Sequence, residues 1–306
     1  MRIFRSFDEA AMIRNPVVTT GSFDGVHIGH KTILKRLKML AEKYDGESAL
    51  ITFDPHPRKV LYPDTAGKDL KLINSQEEKL MMLSKAGLDN VIIVNFDIDF
   101  SRITSEQFVR DLLHNKLHAR VIVAGFNHHF GFNKEGDYKQ LWNWRELYNF
   151  DAEEIPEQEV YHETVSSTRI RQAINEGYIQ RANAYLDHYY VIMGSCERFI
   201  PPEGSGLPPL LEIPVVEKSK LIPPSGVYAA SIEEGNTCRK GMILICRKNY
   251  ETPQILADVM DSNEVYPGSK LTLYFHKRII GSVCLSDEKS FPKIKHAREE
   301  IAELIY

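Results

Sequence analysis

The first two thirds of the chain alternate short β-branched runs with longer segments of helical period. Four runs predict buried strands, at Pro16–Thr20, Ser48–Phe53, Asn90–Val94 and Arg120–Ala124. Strands separated by helices of this length imply right-handed crossovers, so the pattern predicts an α/β, Rossmann-like doubly wound parallel sheet. Such a sheet binds its ligands at the carboxyl ends of its strands.

Three helices are predicted between these strands. Apolar residues recur on one face of His30–Tyr44, and another helix runs from about Ser105 to Lys116. A third begins at Ser75-Gln76-Glu77-Glu78, which has the form of a capping box, and ends at Gly87.

The pattern changes after Leu186. Six strand-like runs separated by turn residues predict a small antiparallel β-barrel, closed by a helix over Lys293–Ile305. The runs are Tyr189–Ile200, Leu210–Glu217, Gly226–Glu233, Gly241–Arg247, Gln254–Asp261 and Lys270–Gly281. The chain length of 306 residues also suggests two domains, which we place at residues 1–187 and 188–306.

Composition narrows the class of protein. A hydrophobic content of 43% and a charged content of 26% fit a globular protein, and the net charge of −4 argues against a nucleic-acid partner. The four cysteines match no zinc spacing and are too few for a disulfide scaffold. The start of the chain lacks a signal-peptide pattern, and no stretch reaches membrane-spanning length. We therefore expect a cytoplasmic protein with no membrane partner, whose oligomeric state the sequence does not determine.

The segment Gly21-Ser22-Phe23-Asp24-Gly25-Val26-His27-Ile28-Gly29-His30 follows the first strand and enters the first helix. We call it the glycine turn. Its three glycines, Gly21, Gly25 and Gly29, are expected to allow backbone conformations that side chains forbid and to let phosphate oxygens approach N–H groups. His27 and His30 lie three residues apart at the helix start, so both imidazoles can face one anion.

Two other interpretations of the histidine pair are open. Two histidines three apart can ligate a metal, but no Glu or third His stands at a fitting spacing nearby. They can also be incidental polar residues at a helix start. The agreement of strand, glycines and helix favours phosphate binding.

The glycine turn resembles the H-x-G-H signature of the adenylyl/cytidylyltransferase superfamily, and its longer form is similar to bacterial bifunctional riboflavin kinase/FAD synthetases. Further strings agree in order along roughly residues 1–187. They are Thr52-Phe53-Asp54-Pro55-His56-Pro57, Ala124-Gly125-Phe126-Asn127-His128-His129-Phe130-Gly131-Phe132, Gly136-Asp137 and Ser166-Ser167-Thr168-Arg169-Ile170-Arg171.

The resemblance implies a transfer of AMP from ATP to FMN, with FAD and pyrophosphate as products. The implied catalytic residues are His27, His30 and Arg171. The implied ATP- and phosphate-binding residues are Gly21, Phe23, Asp24, Gly29, Ser167 and Thr168, and the implied flavin-binding residues are Phe53, Pro55, His56, Pro57, Asn127 and Phe130. Purely structural interpretations of these residues are also open. Ser166–Thr168 fits a simple N-cap, and Phe53–Pro57 fits a structural loop at the end of a strand. The phenylalanines of the Gly125–Phe132 segment fit a role in the core.

Residue chemistry is compatible with this reaction. The FMN phosphate is already anionic, so the reaction needs alignment and charge stabilisation rather than a general base. Asp24 fits a loop-ordering role better than that of a base. No set of protein metal ligands is visible, which suits Mg²⁺ held by the ATP phosphates and water.

The second domain departs from the family at its kinase motifs. Relatives carry G-R-x-x-G-F-P-T-A-N after the first barrel strand, where this chain has Glu197-Arg198-Phe199-Ile200. At the position of the relatives' Glu base it has Gln254 or Ile255, depending on one gap. Asp258 can substitute only if the strand shifts register. Glu212 is the nearest carboxylate of the replaced segment, and nothing in the sequence brings it to this late strand.

The sequence therefore predicts an active FMN adenylyltransferase with a barrel that has lost its kinase activity. Three alternatives stay open: a fully bifunctional enzyme, a flavin-binding regulatory protein on the same scaffold, and a nucleotidyltransferase with another acceptor. Intact ATP-side motifs argue against the second, and the phenylalanine-rich Gly125–Phe132 loop argues against the third.

Overall fold

The structure is a computed structural model that describes residues 1–126, 128–156, 159–160, 163–247, 253–260, 266–283 and 285–304. The chain divides into two compact units. The first comprises Met1–Leu70 and Lys79–Val165, and the second comprises Lys71–Glu78 and Ser166–Tyr306. The expected functional boundary at residue 187 stays a prediction.

Six parallel strands form the sheet of the first unit, which confirms the predicted fold class. They are β1 (Arg2–Phe4), β2 (Val17–Thr20), β3 (Ser48–Asp54), β4 (Asn90–Asn95), β5 (Val121–Gly125) and β6 (Asp151–Ile155). Their order is β1-β4-β3-β2-β5-β6. Sequence analysis missed the two edge strands: β1 has three residues, and β6 (Asp-Ala-Glu-Glu-Ile) is too polar to give a strand signal.

Helices of the first unit connect these strands, and their predicted positions are largely confirmed. They are α1 (Phe7–Ala10), α2 (Ile28–Lys43), α3 (Pro57–Leu61), α4 (Gln76–Lys85), α5 (Ile98–Ser101), α6 (Ser105–Gln107) and α7 (Tyr138–Trp144). The first three residues of α4 belong to the second unit. The helix expected over Ser105–Lys116 is α-helical only in α6 and continues as a π-helix over Phe108–Lys116. A two-stranded sheet pairs β7 (Glu159–Val160) with β8 (Glu163–Thr164). The capping box at α4 is present: Glu78 N–H donates to Ser75 Oγ, and Ser75 N–H donates to Glu78 Oε2.

Strand β2 lies where the order of the sheet reverses. From β2 the chain moves outward through β3 to β4, then returns to β5 on the other side of β2. At such a switch point, two neighbouring strand-end loops separate and leave a crevice for a ligand. The glycine turn follows β2 and the Gly125–Phe132 loop follows β5, so both flank this crevice.

Seven antiparallel strands form the sheet of the second unit. They are β9 (Tyr190–Ser195), β10 (Arg198–Ile200), β11 (Leu210–Glu212), β12 (Gly226–Glu234), β13 (Thr237–Cys246), β14 (Gln254–Val259) and β15 (Lys270–Gly281), in the order β10-β11-β14-β13-β12-β15-β9. Helices α8 (Ser167–Glu176) and α9 (Ile179–Leu186) precede the sheet, and α10 (Phe291–Glu303) follows it.

The single strand predicted over Tyr189–Ile200 is wrong, because it breaks into β9 and β10 at Cys196 and Glu197. These two strands lie at opposite edges of the sheet although only two residues separate them. The sheet must therefore curl until its edges approach, which is the predicted barrel. The predicted strand Leu210–Glu217 is also too long, since β11 ends at Glu212.

None of the helices in the described ranges combines the length and the apolar character that crossing a membrane requires.

Candidate functional site

The glycine turn has an unusual backbone. Phe23 (φ 47°), Gly25 (φ 94°) and Val26 (φ 42°) all occupy the left-handed region. Only one of them is a glycine, so the expectation that all three glycines supply this freedom is wrong for Gly21 and Gly29. A β-branched residue at positive φ is a strained outlier, and such strain persists only where surrounding packing enforces it. Here the side chains of Phe23 and Val26 are both buried, at 3% and 0% exposure.

This backbone stacks three rings. The His30 ring lies 4.3 Å from the Phe23 ring and 3.7 Å from the His27 ring, measured between centroids, with interplanar angles of 20° and 18°. His27 stands at the N-cap of α2 and His30 in its first turn. The predicted approach of the two imidazoles on one side of the helix start is thus confirmed by the geometry. The first turn of α2 adds backbone N–H groups that have no acceptor within the helix itself, and such groups favour an anion.

Electrostatics keep the His30 imidazole neutral. Burial, with His27 and Lys79 adding to it, lowers the pKa of His30 well below its usual range. Its Nδ1 atom is out of contact with solvent and has no hydrogen-bond partner among the described residues. A phosphate placed beside this ring would supply both the missing partner and an opposite charge.

A buried lysine that sequence analysis missed lies behind the turn. Lys79 Nζ is 3.2 Å from Thr52 Oγ1 and 3.5 Å from the Ser22 carbonyl, and Thr52 Oγ1 donates to the same carbonyl at 3.3 Å. Lys79 is 7% exposed. No sequence signal distinguishes it, because a lysine in a helix usually faces solvent.

In the loop after β3, the described side chains pack against neighbouring rings and cap a helix. The Phe53 ring packs against Phe96 and Phe100, at 5.3 Å and 6.0 Å between centroids. His56 caps α3, with its Nδ1 accepting from the Arg58 N–H, and Pro57 is the first residue of that helix. Pro55 follows a cis peptide bond and is exposed. The predicted flavin role of these four residues stays a prediction.

The phenylalanines of the loop after β5 differ in their exposure. Phe130 is buried, with its ring 5.9 Å from that of Phe108, whereas Phe126 and Phe132 are 49% and 41% exposed. Gly131 has a φ of 74°, and a Cβ there would lie 2.5 Å from the Ser105 nitrogen, so this bend requires glycine. Asn127, a predicted flavin-binding residue, lies outside the described residues.

A small cavity lies between the end of β2 and this loop. Its lining includes Thr20, His128 and the apolar side chains of Phe108 and Leu141, and its volume of about 10 Å³ suits roughly one water molecule. Thr20 Oγ1 and His128 Nε2 are buried without a hydrogen-bond partner in the described parts of the chain. Burial, with His129 adding to it, lowers the pKa of His128 to about 4.

In the second unit, the predicted helix start at Ser166–Thr168 is confirmed. Ser166 is the N-cap of α8 and its side chain accepts from the Arg169 N–H, while Ser167 and Thr168 are the first helical residues. Arg171 lies one turn inside, and its Nε donates to the Lys71 carbonyl at 2.8 Å. Phosphate binding by Ser167, Thr168 and Arg171 stays a prediction.

The barrel places Glu212 where sequence analysis did not expect it. Strand β11 pairs with β14, so Glu212 Oε1 accepts from Gln254 Nε2 at 2.7 Å and Oε2 accepts from Arg198 Nε at 2.6 Å. Burial raises the pKa of Glu212, but these two hydrogen bonds outweigh it and lower that pKa overall. Asp258 instead faces α10, where Arg298 Nε donates to it at 2.6 Å.

Comparisons with known proteins agree with this architecture. Residues 10–169 match the model of the FAD synthetase family. A bifunctional riboflavin kinase/FMN adenylyltransferase from Listeria monocytogenes is 33% identical over 271 residues, which cover 87% of this chain and 81% of that protein. The protein of the same description from Buchnera aphidicola is 27% identical, with 99% and 96% covered.

A solved structure has the same fold. The crystal structure described as a macrolide-efflux protein from Streptococcus pneumoniae matches with a TM-score of 0.86 at 23% identity, over 100% of this chain and 99% of that one. This likeness concerns the fold alone. Since the family model matches more than half of the residues and the Listeria relative matches most of both chains, this chain belongs to the FAD synthetase family, with the bacterial bifunctional riboflavin kinase/FMN adenylyltransferases, and is an enzyme of FAD biosynthesis.

Proposed function

We propose that this enzyme transfers the adenylyl group of Mg-ATP to FMN, and that its barrel has no riboflavin kinase activity. The observation that carries the first half is the stack of Phe23, His30 and His27 at the sheet's switch point. The His30 imidazole is half-buried and neutral, and its Nδ1 atom has no hydrogen-bond partner among the described residues. Such a ring next to a helix start is suited to an anion.

The proposed reaction is an in-line displacement at the α-phosphorus of ATP. An FMN phosphate oxygen forms the new P–O bond, and the bond between the α-phosphorus and the bridging oxygen breaks, releasing pyrophosphate. No proton has to leave the nucleophile, because the FMN phosphate is already ionised. The chain then has to align the two substrates and stabilise the charge that develops on the α-phosphate and the pyrophosphate. Mg²⁺ would arrive with ATP, held by its phosphates and water.

In this proposal the histidines His27 and His30 donate hydrogen bonds to the α-phosphate, and Arg171 binds the outer phosphates of ATP. The backbone of the glycine turn, with Ser167 and Thr168, holds the phosphate chain. The flavin lies against the strand-end loops, where exposed aromatic rings are available for stacking at Phe126 and Phe132. Asn127 and Phe130 complete the flavin side as the family resemblance implies.

Loss of kinase activity is supported by the residues at the expected position of the catalytic base and by the contact that Asp258 makes. A kinase must remove a proton from the neutral riboflavin hydroxyl, and a positioned base contributes about 10²–10⁴-fold to such a reaction. Gln254 and Ile255 cannot accept this proton. Asp258 is buried in an ion pair with Arg298, which leaves it occupied by a structural contact.

One observation favours the second candidate function, in which this chain has both riboflavin kinase and FMN adenylyltransferase activity, as the descriptions of its relatives state. Glu212 lies beside Gln254 on β14 and is kept ionised by its two hydrogen bonds. Its two oxygens are, however, each engaged by a donor, so both must be released before it can act as a base.

Product analysis separates the two functions. Full-length protein is incubated with Mg-ATP and either FMN or riboflavin, and the flavins are resolved by chromatography. We expect FAD from FMN, and neither FMN nor FAD from riboflavin above a no-enzyme control. Protein that binds both ATP and FMN yet makes no FAD would contradict the adenylyltransferase proposal, and steady FMN formation from riboflavin would establish the bifunctional alternative.

A further inference from the structure

Lys79 is a charged side chain in the first unit for which neither the fold nor the proposed chemistry has yet supplied a role. It lies on α4, 57 residues from Ser22 and 27 residues from Thr52 in sequence, and its ammonium reaches both. Thr52 is fully buried at the end of β3, and Ser22 is the second residue of the glycine turn. The three groups form a closed hydrogen-bonded triangle, since the Thr52 hydroxyl also donates to the Ser22 carbonyl.

A buried ammonium is costly unless oxygen atoms replace its hydration. An apolar side chain of the same length would fill the space beside Thr52 without that cost, as replacements of buried ion pairs in other proteins show. The position of the charge gives it a function that an apolar residue lacks. Lys79 Nζ lies 3.5 Å from the carbonyl of Ser22, in the turn that stacks the two imidazoles, and it acts electrostatically on His30.

We propose that Lys79 is a positioning residue of the adenylyl-transfer site, which fixes the glycine turn through the Ser22 carbonyl and provides a permanent positive charge behind His30 and His27. This inference rests on the proposed function. The titratable groups acting on His30 are His27, at the N-cap of the same helix, and Lys79, on α4. Asp24 is a further buried charged residue of the glycine turn. Burial and the charge of His27 do most to lower the pKa of His30, Lys79 lowers it further, and the ammonium adds attraction for a polyphosphate.

The test compares Lys79→Met, which keeps the length and removes the charge, with Lys79→Arg, which keeps the charge. Lys85→Met is the matched control, because it makes the same change at an exposed position of the same helix. Three quantities are measured on each full-length protein. They are the pH midpoint of the His30 ring signal by NMR, the affinity for pyrophosphate by calorimetry, and kcat with KM for FMN. The His30 signal is assigned by its loss in His30→Gln.

In Lys79→Met we expect the His30 midpoint to move to higher pH, because a positive neighbour that opposed protonation is gone. Pyrophosphate should bind more weakly, and kcat should fall about 10- to 100-fold, the scale of one hydrogen bond to a charged group, with KM for FMN little changed. Lys79→Arg should recover most of the midpoint and the affinity, and Lys85→Met should match the wild type.

An unchanged His30 midpoint and unchanged pyrophosphate affinity in folded Lys79→Met would overturn the inference. Equal losses in Lys79→Arg and Lys79→Met would also overturn it, because they would indicate a purely steric role. If Lys79→Met does not fold, the same measurements are made on Lys79→Gln and Thr52→Val. The midpoint and the pyrophosphate affinity need no turnover, so a wild-type protein that makes no FAD would refute the proposed function while these two readouts still decide the role of Lys79.

Discussion

His30 of the glycine turn and the buried ion pairs of the second unit differ in whether their polar atoms have partners, although that unit also holds Gln76 Nε2 and Arg278 Nε, which are buried without a partner among the described residues. In the first unit, His30 Nδ1 and Thr20 Oγ1 are out of solvent with no hydrogen-bond partner among the described residues. In the second unit, Lys220 Nζ donates to Glu78 Oε2 at 2.5 Å and to the carbonyls of Ile73 and Val191. Asp258 is likewise paired with Arg298, and Glu212 with Gln254 and Arg198.

For these particular groups, the difference is the one expected between a ligand-binding residue and a structural ion pair. A buried polar atom without a partner costs free energy in the empty protein, and a ligand that supplies the partner recovers it. A buried group that already has its partners gains nothing from a ligand, and its removal damages folding instead. Substitutions in the two regions should therefore affect different measurements.

The largest effect on folding is expected from Lys220→Met. Lys220 and Glu78 are each 1% exposed at their side chains, so the variant leaves a carboxylate buried without its cation. We expect the free energy of unfolding to fall by about 3–5 kcal/mol in urea titrations. Lys277→Met is the control, since it removes an exposed ion pair with Glu300 and should cost less than about 1 kcal/mol. Equal costs for the two variants would remove the contrast between the regions.

The opposite result is expected from His30→Ala. Loss of one preorganised donor at a site of developing charge lowers kcat by about 10²–10³-fold, and we expect the same of Arg171→Ala. The free energy of unfolding should fall by about 1–3 kcal/mol for His30→Ala, the scale of its two ring contacts with Phe23 and His27. His296→Ala, at an exposed position of α10, should change neither quantity. FAD formation at the wild-type rate by either active-site variant would exclude that residue from the mechanism.

A pH effect on stability is expected at His128. Its folded-state pKa is about 4, below the ordinary value of 6.5, so between these pH values the unfolded chain binds a proton that the folded chain does not. The free energy of unfolding should therefore fall as the pH is lowered from 7 towards 4, with His128 contributing on the order of 2 kcal/mol. In His128→Asn this fall should be smaller. His118→Asn, an exposed histidine with a φ of 54° that Asn tolerates, should retain the wild-type slope. An identical slope in all three proteins would show that His128 is not the group responsible.

The smallest effect is expected from Glu212→Gln. Its partner Arg198 is largely exposed, so the free energy of unfolding should change by less than about 1 kcal/mol. FAD formation from FMN should be unchanged, because the variant leaves the first unit intact. Assays of riboflavin with Mg-ATP test whether Glu212 acts as a base. If the wild-type protein makes FMN and the Glu212→Gln variant does not, this carboxylate has become the kinase base.

Much of the local structure around the candidate site could be predicted from the sequence because its signals are local. A strand, the glycine turn and the start of a helix are contiguous, and the spacing of His27 and His30 by itself places both rings on one side of the helix. The capping box at Ser75 and the N-cap at Ser166 are equally local. The backbone detail was not predictable in this way: positive φ at Phe23 and Val26 is enforced by burial, which depends on the rest of the first unit.

The sequence by itself determined the fold class, the position of the glycine turn after the first buried strand, and the family, because hydrophobic periodicity and contiguous motifs are properties of neighbouring residues. Only the tertiary structure decided which distant residues meet. It brought Lys79 to Ser22, Glu212 to Gln254 across 42 residues, and β9 and β10 to opposite edges of one sheet. Strand order and register set these encounters, and both are fixed by how whole sheets bury their faces rather than by any local pattern.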